Sequence, residues 1–221
     1  MKLDLIEELY AEKEMYYFSL ERTLFKNAVK QNDLNILDVG CGTGILGAYF
    51  IKNQNCKVYG IEISKSAYEE ALEVLNYAVK GNVETMVLDY DKNLFDVIIM
   101  GDVVEHLINP MDTLKKLLPF LKKGGQIHVT VPNVRHWEVV VNLLFKDEWE
   151  YKDSGILDYT HIRFFTKKSF VKMLNRIANV HVVKTERVIQ KLSKSDVINK
   201  FTIGLFSGFL ASHTFVTIEK R

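Results

Sequence analysis

Asn35-Ile36-Leu37-Asp38-Val39-Gly40-Cys41-Gly42-Thr43-Gly44 sets a short apolar run against a turn with glycine at every second position. A carboxylate, Asp38, stands between the two. The run reads as a buried strand. The glycines at 40, 42 and 44 permit backbone angles and close approaches that a Cβ would forbid, so a flat or bulky ligand can lie directly on the main chain. That combination predicts a nucleotide-type cradle at the end of the first strand of an α/β sheet.

Outward from this stretch, apolar runs rich in Val and Ile alternate with amphipathic segments, the pattern of a parallel sheet with helices on both faces. The spacing predicts strands at 35–39, 57–61, 85–89, 95–100 and 126–131, with helices at 44–53, 65–80 and 110–122. The last of these opens at Asn109-Pro110 and closes at Gly124-Gly125. Leu5, Leu9, Leu20, Leu24 and Ala28 recur near helical spacing and predict a leading helix over 3–30 that covers the ligand cleft. Beyond Pro132 the alternation stops. Residues 133–165, rich in aromatics, histidine and charge, read as an insert on the acceptor side. A helix at 166–178, a strand at 180–188, a helix at 195–210 and a strand at 213–219 complete a single domain over 1–221.

The composition is that of an ordinary globular chain: 48% hydrophobic residues, 3 Pro and 12 Gly in 221 residues leave no reason to expect disorder. A formal net charge of +1 provides no basic face for nucleic acid. Cys41 and Cys56 sit in the glycine turn and at a strand start, a placement that suits free thiols in a reducing cytoplasm. Acids near the N-terminus and the lack of any apolar run of about 20 residues argue against a leader or a membrane span. Phe201 to Leu210 is apolar enough for association with a surface, although Lys200 and the β-like run after it favour a buried helix.

Two fingerprints overlap in the turn. Gly42-Thr43-Gly44-Ile45-Leu46-Gly47 fits the dinucleotide pattern, and Glu62, 20 residues beyond Gly42, would grip ribose hydroxyls in either case. Asp38 discriminates. A carboxylate at the strand end repels the pyrophosphate of a dinucleotide, whereas S-adenosylmethionine carries an ammonium and a cationic sulfur and no phosphate.

Leu37 to Gly44 resembles the first motif of class I S-adenosylmethionine-dependent methyltransferases. The resemblance continues through Glu62, Asp89, Phe95 to Leu107 and Leu118 to Gly125, covering about 33–135. It implies a Rossmann-like, doubly wound sheet of seven mostly parallel strands, the last antiparallel. It also implies cofactor contacts from Asp38, Gly40, Cys41, Gly42, Gly44, Glu62, Ile63, Asp89, Tyr90, Gly101 and Glu105. Within that set Glu62 would hold the ribose diol, Asp89 and the Tyr90 amide the adenine, and Gly101 the methionine part. A second stretch, Gly155 to Thr166 with Val131-Pro132-Asn133 before it, resembles a segment of bacterial methyltransferases associated with surface polysaccharides. It implies a small-molecule or saccharide-linked acceptor, methylated on oxygen.

A sugar hydroxyl ionises poorly, so its transfer calls for a base. His161, with Asp158 three residues before it, is the candidate; the alternative is that this pair stitches the insert by hydrogen bonds. His106 either shapes the cleft or takes part in the chemistry, Arg163 holds an anionic group of the acceptor or pairs locally, and Asn133 and His136 are candidates for the acceptor pocket. Histidines and carboxylates lack the spacing of metal ligands such as HxxxH or clustered CxxC, so no metal is expected. Two rival readings remain: a methyltransferase-like fold that binds without catalysis, and an NAD-dependent oxidoreductase.

Overall fold

The computed structural model describes residues 19–189 and 193–221. The part of the leading helix expected before Ser19 lies outside the described residues.

The elements run α1 (Ser19–Ala28), β1 (Asn35–Val39), α2 (Ile45–Gln54), β2 (Lys57–Glu62), α3 (Lys65–Val74), β3 (Tyr77–Lys80), β4 (Phe95–Gly101), α4 (Pro110–Leu117), β5 (Leu121–Pro132), α5 (Trp137–Lys146), α6 (Lys167–Leu174), β6 (Val180–Val188), α7 (Lys194–Phe201), α8 (Ser207–Leu210) and β7 (His213–Lys220). The seven strands form one sheet in the order β3-β2-β1-β4-β5-β7-β6. Neighbours from β3 to β5 are parallel, and β7 runs antiparallel to both β5 and β6. The expected architecture, with its final strand reversed, is the one observed.

Each strand of the centre is buried on both faces. Ile36, Val58, Val97 and Ile99 pack toward α1 and α2, while Leu37, Val39, Ile61, Ile98 and Met100 pack toward α4 and α6. Strand order reverses between β1 and β4, so a crevice opens beyond their carboxyl ends, where open α/β sheets bind ligands. The described part of the leading helix bears on this region from one face: the Phe25 ring packs edge-on against Phe215.

Three expectations fail locally. The helix expected over 65–80 stops at Val74: Leu75 is already extended, and the Asn76 side chain accepts from the Val58 amide. Residues 77–80 then pair with β2 as the edge strand, Tyr77 stacking on Tyr59 at 4.7 Å. The expected strand at 85–89 does not form, because Asn82 accepts the amides of Glu84, Thr85 and Met86 and curls the chain into a turn. Lys116 takes the carbonyls of Val83 and Glu84, and the Glu84 carboxylate accepts from the Ile108 and Asn109 amides at the start of α4. The segment that reads as a strand is wired to a helix instead.

The insert contains α5, which has no visible period because apolar residues encircle it; only Val139 is buried. Its ends meet, Asn133 bridging Phe165 and the Val134 amide bonding the Phe165 carbonyl. The expected helix at 195–210 is broken by Ile203 and Gly204, both at positive φ. It is not buried either: Phe201 is 89% exposed and Ile203 94%. No helix among the described residues is long and apolar enough to cross a membrane.

Candidate active site

The glycine turn hangs from β2. Gly40 and Cys41 donate to the Ile61 carbonyl, and Gly44, in the left-handed region at φ 77°, starts α2. A Cβ on Gly40 would lie 2.6 Å from Val103 Cγ2, so this glycine admits the segment after β4. Gly42 differs. At φ 54° it has no atom within 4 Å of where a Cβ would stand, so the space above it is open.

Glu62 binds the same turn. It is buried, and it accepts the Gly42 amide at Oε2 and the Ile63 and Ser64 amides at Oε1, each at 2.8 Å. A carboxylate has about four acceptor sites, so one remains for a ribose hydroxyl. Asp38 is buried as well, and burial first, then the charges of Asp38 and Glu62, push the Cys41 thiol far up. Two covered carboxylates thus flank one thiol that stays protonated. The arrangement attracts a cation and repels a pyrophosphate, and Cys41 is no nucleophile.

The other expected cofactor residues divide. Asp89 is exposed and follows no strand; β3 ends at Lys80, which places Gly81-Asn82 at the strand end. The Tyr90 ring is packed among Tyr59, Phe95 and Phe120, and burial raises its phenol to about 12. Gly101 does lack a side chain for a packing reason, but its neighbour is Phe25, whose ring would be 3.0 Å from a Cβ there.

Beyond β4 the chain makes a 3-10 turn, Val104–His106, and the returning end of the insert docks on it. The Ile162 and Arg163 amides both donate to the Glu105 carbonyl, and the Arg163 side chain donates to the Ile108 carbonyl at 2.6 Å. Glu105 and His161 are buried, His106 half-buried. The two rings meet edge-on at 4.7 Å, and His161 Nε2 lies 3.9 Å from Glu105 Oε1. Asp158 Oδ1 accepts from the Thr160 amide and hydroxyl, while His161 Nδ1 bonds the Ile156 carbonyl. Glu105, placed above among cofactor residues, is the acid that faces His161.

The remaining acceptor candidates sit near the start of β7. Asn133 donates to the Gly208 and Ala211 carbonyls and accepts from the Arg135 amide, stitching β5 to the α8–β7 connection. His136 is buried, which lowers its pKa. A pair that the sequence does not single out lies alongside: His213 Nε2 is 3.4 Å from Asp102 Oδ2, and Asp102 holds a φ of 50° at the end of β4. Nothing local could have joined residues that distant; only the strand-end position of Gly101-Asp102 hints at it.

The family model described as a methyltransferase domain matches residues 10–183. A phosphoethanolamine N-methyltransferase of Arabidopsis thaliana is 32% identical over 133 residues, 56% of this chain and 26% of that protein. A demethylmenaquinone methyltransferase of Listeria welshimeri is 31% identical over 127 residues, 52% of this chain and 53% of that one. The chain therefore spans between a quarter and about half of the length of these relatives. Among solved structures, an S-adenosylmethionine-dependent methyltransferase from Archaeoglobus fulgidus superposes with a TM-score of 0.63 at 18% identity, covering 90% of this chain and 94% of that one, a likeness of fold. The match over most of the chain, on a sheet of this order with a sulfonium-compatible turn, makes this chain a member of the methyltransferase-domain family with S-adenosylmethionine as its cofactor.

Proposed function

We propose that this chain transfers the methyl group of S-adenosylmethionine to an oxygen of a small-molecule or saccharide-linked acceptor. The observation that carries the cofactor half is the open space over Gly42, in a turn that follows buried Asp38 and whose Gly42 amide is bound by buried Glu62. Glu62 holds a ribose hydroxyl with its remaining acceptor site, and the strand-end pair Asn82-Val83 meets the adenine edge in place of Asp89. The acceptor lies beyond the ends of β4 and β5, under residues 133–165.

The acceptor oxygen loses its proton at the corner formed by Glu105, His106 and His161. His161 is held from both sides, by the Ile156 carbonyl and by Glu105, so it positions; half-buried His106 is the more exposed of the two rings. In-line displacement from an already activated sulfonium needs mainly alignment, which supports a cluster that orients an oxygen and removes one proton. The Gly155 to Thr166 segment, which builds this corner, supports the saccharide reading. Phe201, Ile203 and Leu205, all largely exposed, support association with an apolar surface.

Calorimetry with S-adenosylmethionine and NADH, followed by release of S-adenosylhomocysteine across hydroxyl, amine and quinol acceptors, tests this reading. Sulfonium binding, none of NADH, and turnover with hydroxyl acceptors are expected. Turnover confined to amines would overturn oxygen transfer, and NADH binding would overturn the cofactor. His106→Gln and His161→Gln should lower kcat while leaving sulfonium affinity in place.

A further inference from the structure

One donor atom each of Glu105, His106 and His161 lies within 4.8 Å of the others. Two come from the 3-10 turn after β4 and the third from the far end of the insert, so no spacing motif marks them. What holds the two rings is informative. His106 Nδ1 is 3.0 Å from the Thr160 carbonyl, and His161 Nδ1 is 3.0 Å from the Ile156 carbonyl. A carbonyl only accepts, so both Nδ1 atoms carry hydrogen, and in the neutral rings the lone pair is on Nε2. A histidine whose second nitrogen donates to a backbone carbonyl has its ring and tautomer set as metal-binding histidines do. His161 Nε2 and Glu105 Oε1 are 3.9 Å apart. Tetrahedral donors about 2.1 Å from one ion stand about 3.4 Å apart, so the three side chains close on an ion by small rotations. With Glu105 and His161 buried, the corner opens on the half-buried His106 side.

We propose that Glu105, His106 and His161 bind one first-row divalent cation of the zinc type, with coordination positions left open toward the acceptor. Two imidazoles and one carboxylate suit zinc and its neighbours; calcium and magnesium take oxygen donors. The ion's use, though not its binding, rests on the methyl-transfer reading above. A hydroxyl bound to the cation gives its proton to solvent more readily. Its oxygen then forms the O–CH3 bond as the S–CH3 bond breaks and the bonding pair stays on sulfur.

Titration of the dialysed full chain with Co2+ tests this without substrate. One Co2+ per chain with visible ligand-field bands is expected, displaced by Zn2+. His106→Gln and His161→Gln should each weaken binding by at least ~10–100-fold, the loss that even an outer-sphere change causes. Because His161 is buried, melting curves and S-adenosylmethionine calorimetry verify the fold of each variant; half-buried His106 supplies the substitution least tied to folding. No stoichiometric Co2+ binding, or equal affinity in wild type and both variants, overturns the site. Methyl transfer to oxygen that survives in metal-free chain overturns the ion's role while leaving the proposed function. Co2+ binding with no transfer to any hydroxyl acceptor does the reverse.

Discussion

The two halves of the sheet satisfy buried polar groups by different means. Around β1 and β2 the main chain does it: the amides of Gly42, Ile63 and Ser64 close on Glu62, and the Ala67 amide donates to the Ser64 side chain at the start of α3. From β4 onward side chains do it, and all six histidines of the chain lie at or beyond position 106. His128 pairs with Thr217 across β5 and β7, His213 with Asp102, His161 with Glu105, and Asn133 with two carbonyls. The lesson is that the cofactor half closes main-chain amides on one carboxylate, whereas the acceptor half depends on side-chain pairs far apart in sequence.

The sharpest way to break this contrast is at Glu62. Glu62→Ala leaves three amides without their acceptor in a covered site, and each such loss costs about 1–3 kcal/mol. Stability should fall by about 3 kcal/mol and S-adenosylmethionine affinity by ~10–100-fold, the loss of one charge-assisted bond. Hydrogen exchange should show the opening confined to β1, β2 and α2. Equal loss of protection in β5 and β7 would mean that the halves are not separable.

Acid probes the other half. Burial, and secondarily Lys184, lowers His128 to about 4 from an ordinary 6.5. The unfolded chain therefore binds a proton between pH 6.5 and 4 that the folded chain refuses, so stability drops as pH falls through that window. At 1.36 kcal/mol per unit the effect at pH 4 is about 3 kcal/mol. His128→Gln should flatten the slope of denaturant-melting free energy against pH, and exchange in wild type at pH 4.5 should rise in β5–β7 before β1–β2. An unchanged slope in the variant would remove His128 as the acid-sensitive group.

The same contrast explains what could be read from the chain. Strand β1, its glycine turn, Asp38 and Glu62 are legible because 28 residues contain the whole arrangement. The strand at 77–80 is missed because Ala78 and Val79 continue the helical period of Ala71, Leu72 and Leu75, whereas the chain turns extended at Leu75 and Asn76 accepts from Val58. Asp89 then takes a strand-end position that belongs to Asn82. Glu105 and His161 are each visible as candidates, but their pairing is not: it depends on the insert folding back so that Ile162 and Arg163 bond the Glu105 carbonyl. Asp158, three positions from His161, closes the turn through Thr160, a bond between neighbours in sequence.

The smallest effect isolates the turn itself. Gly42 and Gly47 both belong to the overlapping fingerprints, but their reasons for lacking a side chain differ. A Cβ on Gly47 would run into Leu75 and come within 2.9 Å of Val58 Cγ1, so this glycine serves the approach of α2 to β2. Gly47→Ala should destabilise the fold by about 1–3 kcal/mol through overpacking and leave S-adenosylmethionine affinity unchanged. Gly42→Ala meets no protein atom, and its cost in stability is the left-handed backbone alone, about 1 kcal/mol. Its methyl group projects into the open space at the turn, so affinity for the cofactor should drop even at a temperature where both variants are fully folded. If Gly42→Ala binds S-adenosylmethionine as wild type does, the cofactor does not lie over this turn, and the two buried carboxylates flank something else.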